Sequence, residues 1–285
     1  MKNWIAAENR SVTALIGTML VLYVVTFYPA IKALIEIWSS FDEYHFAFIT
    51  IPIIFYMVCH KRHQLIQSNG KNVLFCIILS GFSLVIYVLA LLTQVNTIIF
   101  LSMYFTTIGI IIGIADFQSL KALSTPLLLC LILIPIPEQL YIKITFPLQL
   151  LVSKISEMLV RGFNVPILRQ GNLMVIPGKS FEVIGVCSGI KSMIVLMTLS
   201  IIIGYFTLNR TYLKTILTIA SLPVAIIVNS IRITGIILLF AFCKVDLSEG
   251  NLHVLTGIAV FGIAIAILLL VEKALEHWQI ELKSS

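Results

Sequence analysis

The sequence predicts an all-α polytopic membrane protein with about eight transmembrane helices, an outward-facing amphipathic helix and a short hairpin. Three observations carry this. Hydrophobic residues make up 59% of the 285 residues and charged ones only 11%, against roughly a quarter charged in soluble domains. The mean hydropathy is +1.06, more apolar surface than a water-soluble fold can hide. Apolar runs of spanning length recur along the whole chain, and Lys and Arg crowd alternate short loops. No repeat, low-complexity stretch or linker divides the chain, so residues 1–285 are read as one transmembrane domain.

The first run, 12–31, follows a basic start and lacks a clear small-residue cleavage site, so it reads as a retained helix rather than a removed signal. The next candidates are 44–60, 73–93, 97–115, 119–135, 187–208, 214–243 and 252–272. Lys2 and Arg10 precede the first helix. Lys61, Arg62 and Lys71 follow the second, and Arg210 and Lys214 follow the sixth. Placing these on the cytoplasmic side puts both termini in the cytoplasm. The loops around 42–45, 93–96, 135–141 and 244–251 then face outward. In "WSSFDEYHFAF", Trp38 and Tyr44 are expected as interfacial belt residues at the outer end of the second helix.

Residues 138–186 break the pattern. Lys143, Ser153, Lys154, Glu157 and Arg161 recur through an apolar background, which suits a helix lying along the interface. In "NLMVIPGKSFEVIG", short runs flank Pro-Gly-Lys-Ser, the chemistry of a hairpin turn. This outward-facing segment leads straight to Cys187.

The net charge of +6 is spread over loops, with no cluster dense enough to hold nucleic acid. The five cysteines, at 59, 76, 130, 187 and 243, form no CxxC pair, so neither a metal site nor a disulfide framework is indicated. Four of them sit in or beside apolar runs, where cysteine packs as a small hydrophobe. Cys187 begins a helix instead, followed by Ser188 and Gly189. Free amides and the positive dipole end at a helix start favour a thiolate or a nearby oxyanion.

Arg232 is the only charged residue between Lys214 and Lys244, and a mid-membrane arginine costs about 2.5–3.5 kcal/mol on insertion scales. Asn229 lies one turn before it on the same helix face. A guanidinium does not deprotonate, so Arg232 is a candidate oxyanion stabiliser or substrate clamp rather than a base. His253, at the outer start of the last helix, is a candidate base that takes the thiol proton and returns it to a leaving amine. Nucleophile, base and oxyanion stabiliser are the parts of a thiol acyl-transfer site. Glu182, Lys191 and His45 are supporting candidates: Glu182 to orient His253 or bind substrate, Lys191 to lower the thiol pKa, and His45 as a second polar group near the site. These parts imply no metal and no organic cofactor.

The segments "EVIGVCSGIKSM", "PVAIIVNSIRITGI" and "HVLTGIAVFGIAI" resemble the signature segments of the exosortase and archaeosortase family. "FPLQLLVSKISEMLVRGFNVPILRQGNLMVIPG" is similar to the stretch before the family's nucleophile, and "WSSFDEYHFAFITIPI" to its early Asp-Tyr-Ser-His-Gly segment. The resemblance covers residues 38–270. It implies a membrane cysteine transpeptidase, unrelated in fold to soluble sortases. The family acts on exported proteins ending in a motif such as Pro-Glu-Pro, a transmembrane helix and a basic tail. It cleaves near the motif and passes the new C-terminus to an acceptor, a membrane lipid or another group. The family's cysteine, arginine and histidine match Cys187, Arg232 and His253. The chain departs from the family at Gly185, where an acidic residue is common, at Lys191, where arginine is common, and at 42–46, which lacks the serine and glycine. These departures bear on the subfamily, and so on the motif served. Two alternatives compete with transfer: a purely hydrolytic intramembrane cysteine protease, and a non-enzymatic transporter or subunit of polysaccharide export.

Overall fold

A computed structural model describes residues 2–62, 72–182, 190–245, 247 and 250–284, and within these leaves aside the side chains of 2–16, 116, 118, 190, 250, 251, 253, 254 and 282–284. Helices dominate: α1 (Lys2–Ser40), α2 (Ala47–His60), α3 (Val73–Thr93), α4 (Asn96–Ala122), α5 (Ser124–Ile132), α6 (Glu138–Gly162), α7 (Ile190–Thr207), α8 (Thr211–Cys243) and α9 (Gly250–Ser284). One small sheet, β1 (Leu168–Gln170), β2 (Leu173–Ile176) and β3 (Lys179–Glu182), lies between α6 and α7. Among the described residues six helices are long and apolar enough to cross a membrane, and the apolar stretch Lys191–Thr207 of α7 is shorter. The chain is an all-α polytopic membrane protein. It divides into two compact units, Met1–Pro135 and Ile136–Ser285.

In the first unit, Phe27, Leu34, Trp38, Tyr87, Phe100 and Leu133 form the heart of one buried cluster. Trp38 and Tyr44, expected at a lipid headgroup belt, are instead only 6% and 8% exposed. Trp38 sits in the last turn of α1, not on the second helix, and its indole Nε1 donates to the carbonyl of Leu133 at 3.0 Å. That bond satisfies the ring's one polar group, which lets the whole side chain be buried.

The fifth expected span, 119–135, is not one helix. α4 runs on to Ala122, and α5 has only nine residues, about 14 Å of helix against a ~30 Å hydrocarbon core. Prolines set both limits. Pro126 stands in the first turn of α5, where a missing N–H is harmless, and Pro135 and Pro137 lie just beyond its end. The chain still runs the length of the unit here. Lys61 Nζ donates to the Ala122 carbonyl at one end (2.9 Å), and Thr97 Oγ1 donates to the Pro135 carbonyl at the other (3.2 Å).

α3 and α4 pack closely where α4 carries Gly109 and Gly113. This four-residue spacing of small side chains lets two apolar helices approach backbone to backbone. A β-carbon on Gly113 would lie 2.6 Å from Cys76 Sγ, and one on Gly109 would collide with Ser80 Oγ. Gly113→Leu is therefore expected to destabilise the unit by about 1–3 kcal/mol through overpacking. Thermal unfolding in detergent measures this. Gly81→Leu is the control, because a β-carbon there meets nothing within 4 Å.

In the second unit, α7, α8 and α9 form an up-and-down trio. Leu196, Leu213, Leu217, Val228 and Leu268 are buried between them. α6 lies along α8 in the same direction. Its Tyr141 and Leu148 line a small apolar cavity with Leu222 of α8, and its Ser156 donates to the Ser230 carbonyl at 3.2 Å. Val152, Ser153, Ser156 and Val160 are buried, while Lys143, Lys154 and Arg161 are exposed. The amphipathic helix is present, but it does not lie flat along the interface as expected. It runs alongside α8, a helix long enough to cross a membrane, because its small residues Ser153 and Ser156 allow close packing there while its charged residues stay on the other face.

The expected hairpin is β2–β3, closed by Pro177-Gly178 between the paired Ile176 and Lys179. Gly178 has φ +95°. Proline before a positive-φ glycine fits a type II turn, which a β-branched residue at 178 would strain. A strand that the sequence did not reveal, β1, adds to the far side of β2, with Gly171 (φ +66°) in the connecting turn.

Candidate active site

The site is built on α8. Eleven residues of this 33-residue helix are buried, including Asn229, Ser230 and Thr234 around the arginine. Arg232 projects into a narrow cleft shared with Ser192 and Leu196 of α7, Asn229 of α8, and Gly257 and Phe261 of α9. The start of α7, the middle of α8 and the start of α9 therefore converge on one guanidinium. Asn229, 4% exposed, lines the same cleft one turn away, as its spacing in the sequence implies.

Gly257 makes this approach possible. A β-carbon there would stand 3.2 Å from Arg232 Nη2 and 3.5 Å from Cζ. The guanidinium thus lies against α9 at a position that carries no side chain. Gly257 was not among the residues expected at the site. Its only signal in the sequence is a glycine one helical turn after His253.

Cys187, Ser188 and Gly189 fall outside the described residues, and so does the side chain of His253, whose backbone belongs to the beginning of α9. Chain connectivity still bounds them. Cys187 is five residues before Ser192, a reach of at most ~18 Å from the cleft. His253 is four residues before Gly257 on one helix, about 6 Å along the axis and on the same face.

Lys191 is half-buried in the first turn of α7 and does not line the cleft. Glu182 is exposed at the end of β3. His45 belongs to the first unit, where its Nδ1 is 3.6 Å from Asp42 Oδ1 and its Nε2 is 3.3 Å from the Ser39 carbonyl oxygen.

The sheet is fastened beside this site. Met174, Ile176 and Phe181 are buried in one cluster with Val152 and Val160 of α6 and Ile233, Ile236 and Ile237 of α8. The Phe181 ring meets Phe240 of α8 edge-on, with centroids 5.6 Å apart. Glu157 of α6 accepts from Arg169 Nε of β1 and pairs with Arg161 Nη2, both at 2.7 Å. At 15% exposure this carboxylate is shielded from solvent, so the pairing is stronger than a surface bridge. A broad open concavity lies on this sheet, lined by Arg161, Pro166, Leu168, Val175 and Pro177.

No curated protein and no solved structure matches the chain. The family model for transmembrane exosortases (Exosortase_EpsH) matches residues 38–270, which take in the sheet, all of α7 and α8, and α9 through the cleft. The chain belongs to the transmembrane exosortase family.

Proposed function

We propose that this exosortase is a cysteine transpeptidase, with Cys187 as nucleophile, His253 as proton carrier and Arg232 as oxyanion stabiliser. Its substrates are exported proteins with a C-terminal motif, a transmembrane helix and a basic tail. Both termini lie in the cytoplasm, and the site opens at the outer face of a bacterial inner membrane. The observation that carries the reading is the convergence of Ser192, Arg232 and Gly257 in one cleft. Cys187 and His253 are each within a few residues of it.

The substrate's C-terminal helix enters among the helices of the enzyme, and its motif rests against residues 164–186. The Cys187 thiol gives its proton to His253, and the thiolate sulfur attacks the scissile carbonyl carbon. The electron pair of the C=O bond moves to oxygen, where the fixed guanidinium of Arg232 stabilises it in a poorly hydrated cleft. The tetrahedral intermediate collapses, the C–N bond breaks, and the His253 proton goes to the leaving amine. A thioester remains. A nucleophilic acceptor, such as the amine of a membrane lipid, then attacks this thioester. His253 takes the acceptor's proton, and the thiolate leaves. With water as acceptor the same steps give hydrolysis.

The test is a blot of a tagged, exported reporter ending in Pro-Glu-Pro, an apolar helix and a basic tail, co-expressed with wild type or Cys187→Ala at matched amounts. Wild type is expected to shift the reporter's mass, and Cys187→Ala to leave it unprocessed. Processing that survives Cys187→Ala would remove the cysteine from the mechanism. The intact mass of the product separates transfer from hydrolysis, since transfer leaves an added group on the new C-terminus.

A further inference from the structure

The sheet has two edges, and they differ. Next to a two-residue turn the closing pair of an antiparallel hairpin exchanges both main-chain bonds, and pairs alternate from there. The register Ile176↔Lys179, Val175↔Ser180, Met174↔Phe181, Leu173↔Glu182 therefore aims the N–H and C=O groups of Lys179 and Phe181 at β2. Those of Ser180 and Glu182 point outward, and both residues are exposed. Among the described residues no strand pairs with this edge. On β1 the same rule leaves only Arg169 with outward groups, and its side chain is held by Glu157 and by the Gly171 carbonyl.

β3 also has the better address. The Phe181 ring rests on Phe240, eight residues and about 12 Å along α8 from Arg232. The chain leaving Glu182 reaches Cys187 in five residues. The distance along α8 from Phe240 to Arg232 corresponds to about four residues of extended peptide at ~3.3 Å each.

We propose that the outer edge of β3 is the substrate-docking edge: the extended C-terminal segment of an exported protein adds to the sheet as a fourth strand. Main-chain bonds to Ser180 and Glu182 hold the peptide straight and deliver its next few residues to the cleft. This rests on the cysteine transpeptidase reading and assigns how its substrate is held. Strand addition draws affinity from the backbone, leaving sequence choice to alternate side chains.

The test uses full-length chain with Cys187→Ala to keep the substrate uncleaved, Cys59→Ser and Cys243→Ser to remove exposed thiols, and either Ser180→Cys or Glu182→Cys. The partner is the Pro-Glu-Pro reporter with single cysteines at successive positions through its motif. Disulfide trapping is expected to peak at one reporter position for Glu182→Cys, fall at both neighbours, and move by two positions for Ser180→Cys. Trapping that is equal at adjacent positions, or the same from both enzyme positions, overturns strand addition. In the otherwise wild-type chain, Ser180→Pro removes an outward N–H and no bond to β2, so it is expected to lower reporter processing at least tenfold at matched amounts. Processing equal to wild type overturns the proposal while the transpeptidase reading stands. A reporter left intact by the wild-type chain overturns both.

Discussion

Replacing Arg232 by alanine is expected to slow reporter processing by about two to three orders of magnitude, the effect of removing a preorganised oxyanion donor. The amount of protein in the membrane should hold or rise, because the substitution removes a charge that costs about 2.5–3.5 kcal/mol within a span. The opposing signs are diagnostic. An arginine that served only to orient α8 would give less protein with unchanged activity per molecule. Arg232→Lys should recover only part of the loss. An ammonium keeps the charge but not the planar fork that lies against α9 at Gly257. The measurement is the initial rate of processing divided by enzyme amount from the same blot.

The second large effect is expected at Gly257. A β-carbon placed 3.2 Å from Nη2 asks the guanidinium to move by a few tenths of an ångström. A larger side chain evicts it from that face of α9. Gly257→Leu should therefore slow processing by about a hundredfold, the scale of a misplacement near 1 Å in a catalytic group. Gly257→Ala should cost less than tenfold in rate while raising thermal stability by up to about 1 kcal/mol, since alanine is the better helix former. A variant that is more stable yet slower separates positioning of Arg232 from damage to the fold. If Gly257→Leu processed the reporter at the wild-type rate, the resting place of the guanidinium would have no part in catalysis.

Much of this protein is legible in its sequence. Apolar runs of about 20 residues mark most of the helices because lipid imposes a length and a composition on whatever crosses it. Pro177-Gly178 marks the β2–β3 hairpin because few residue pairs suit that turn. Arg232 and Asn229 stand out because polar groups in a long apolar helix are costly, and both line one cleft. The expected belt residues failed for a related reason. Trp38 and Tyr44 are amphipathic, and nothing local tells a tryptophan that meets headgroups from one that donates to the Leu133 carbonyl inside a core. The fifth span failed because 119–135 has the right composition, while Pro126, Pro135 and Pro137 confine the helix to nine residues.

By itself the sequence determined the membrane class and the placement of most helices, and it singled out Arg232 and Asn229 on one face of α8. Only the tertiary structure decided which helices are neighbours: α6 along α8, the sheet on Phe240, and Gly257 beneath Arg232. The reason is physical. In water a helix marks its buried face with a polar–apolar period, but in lipid both the outward and the packed faces are apolar. What distinguishes a packed face is the absence of side-chain volume, as at Gly109, Gly113 and Gly257. A missing side chain marks a contact without naming the helix that fills it.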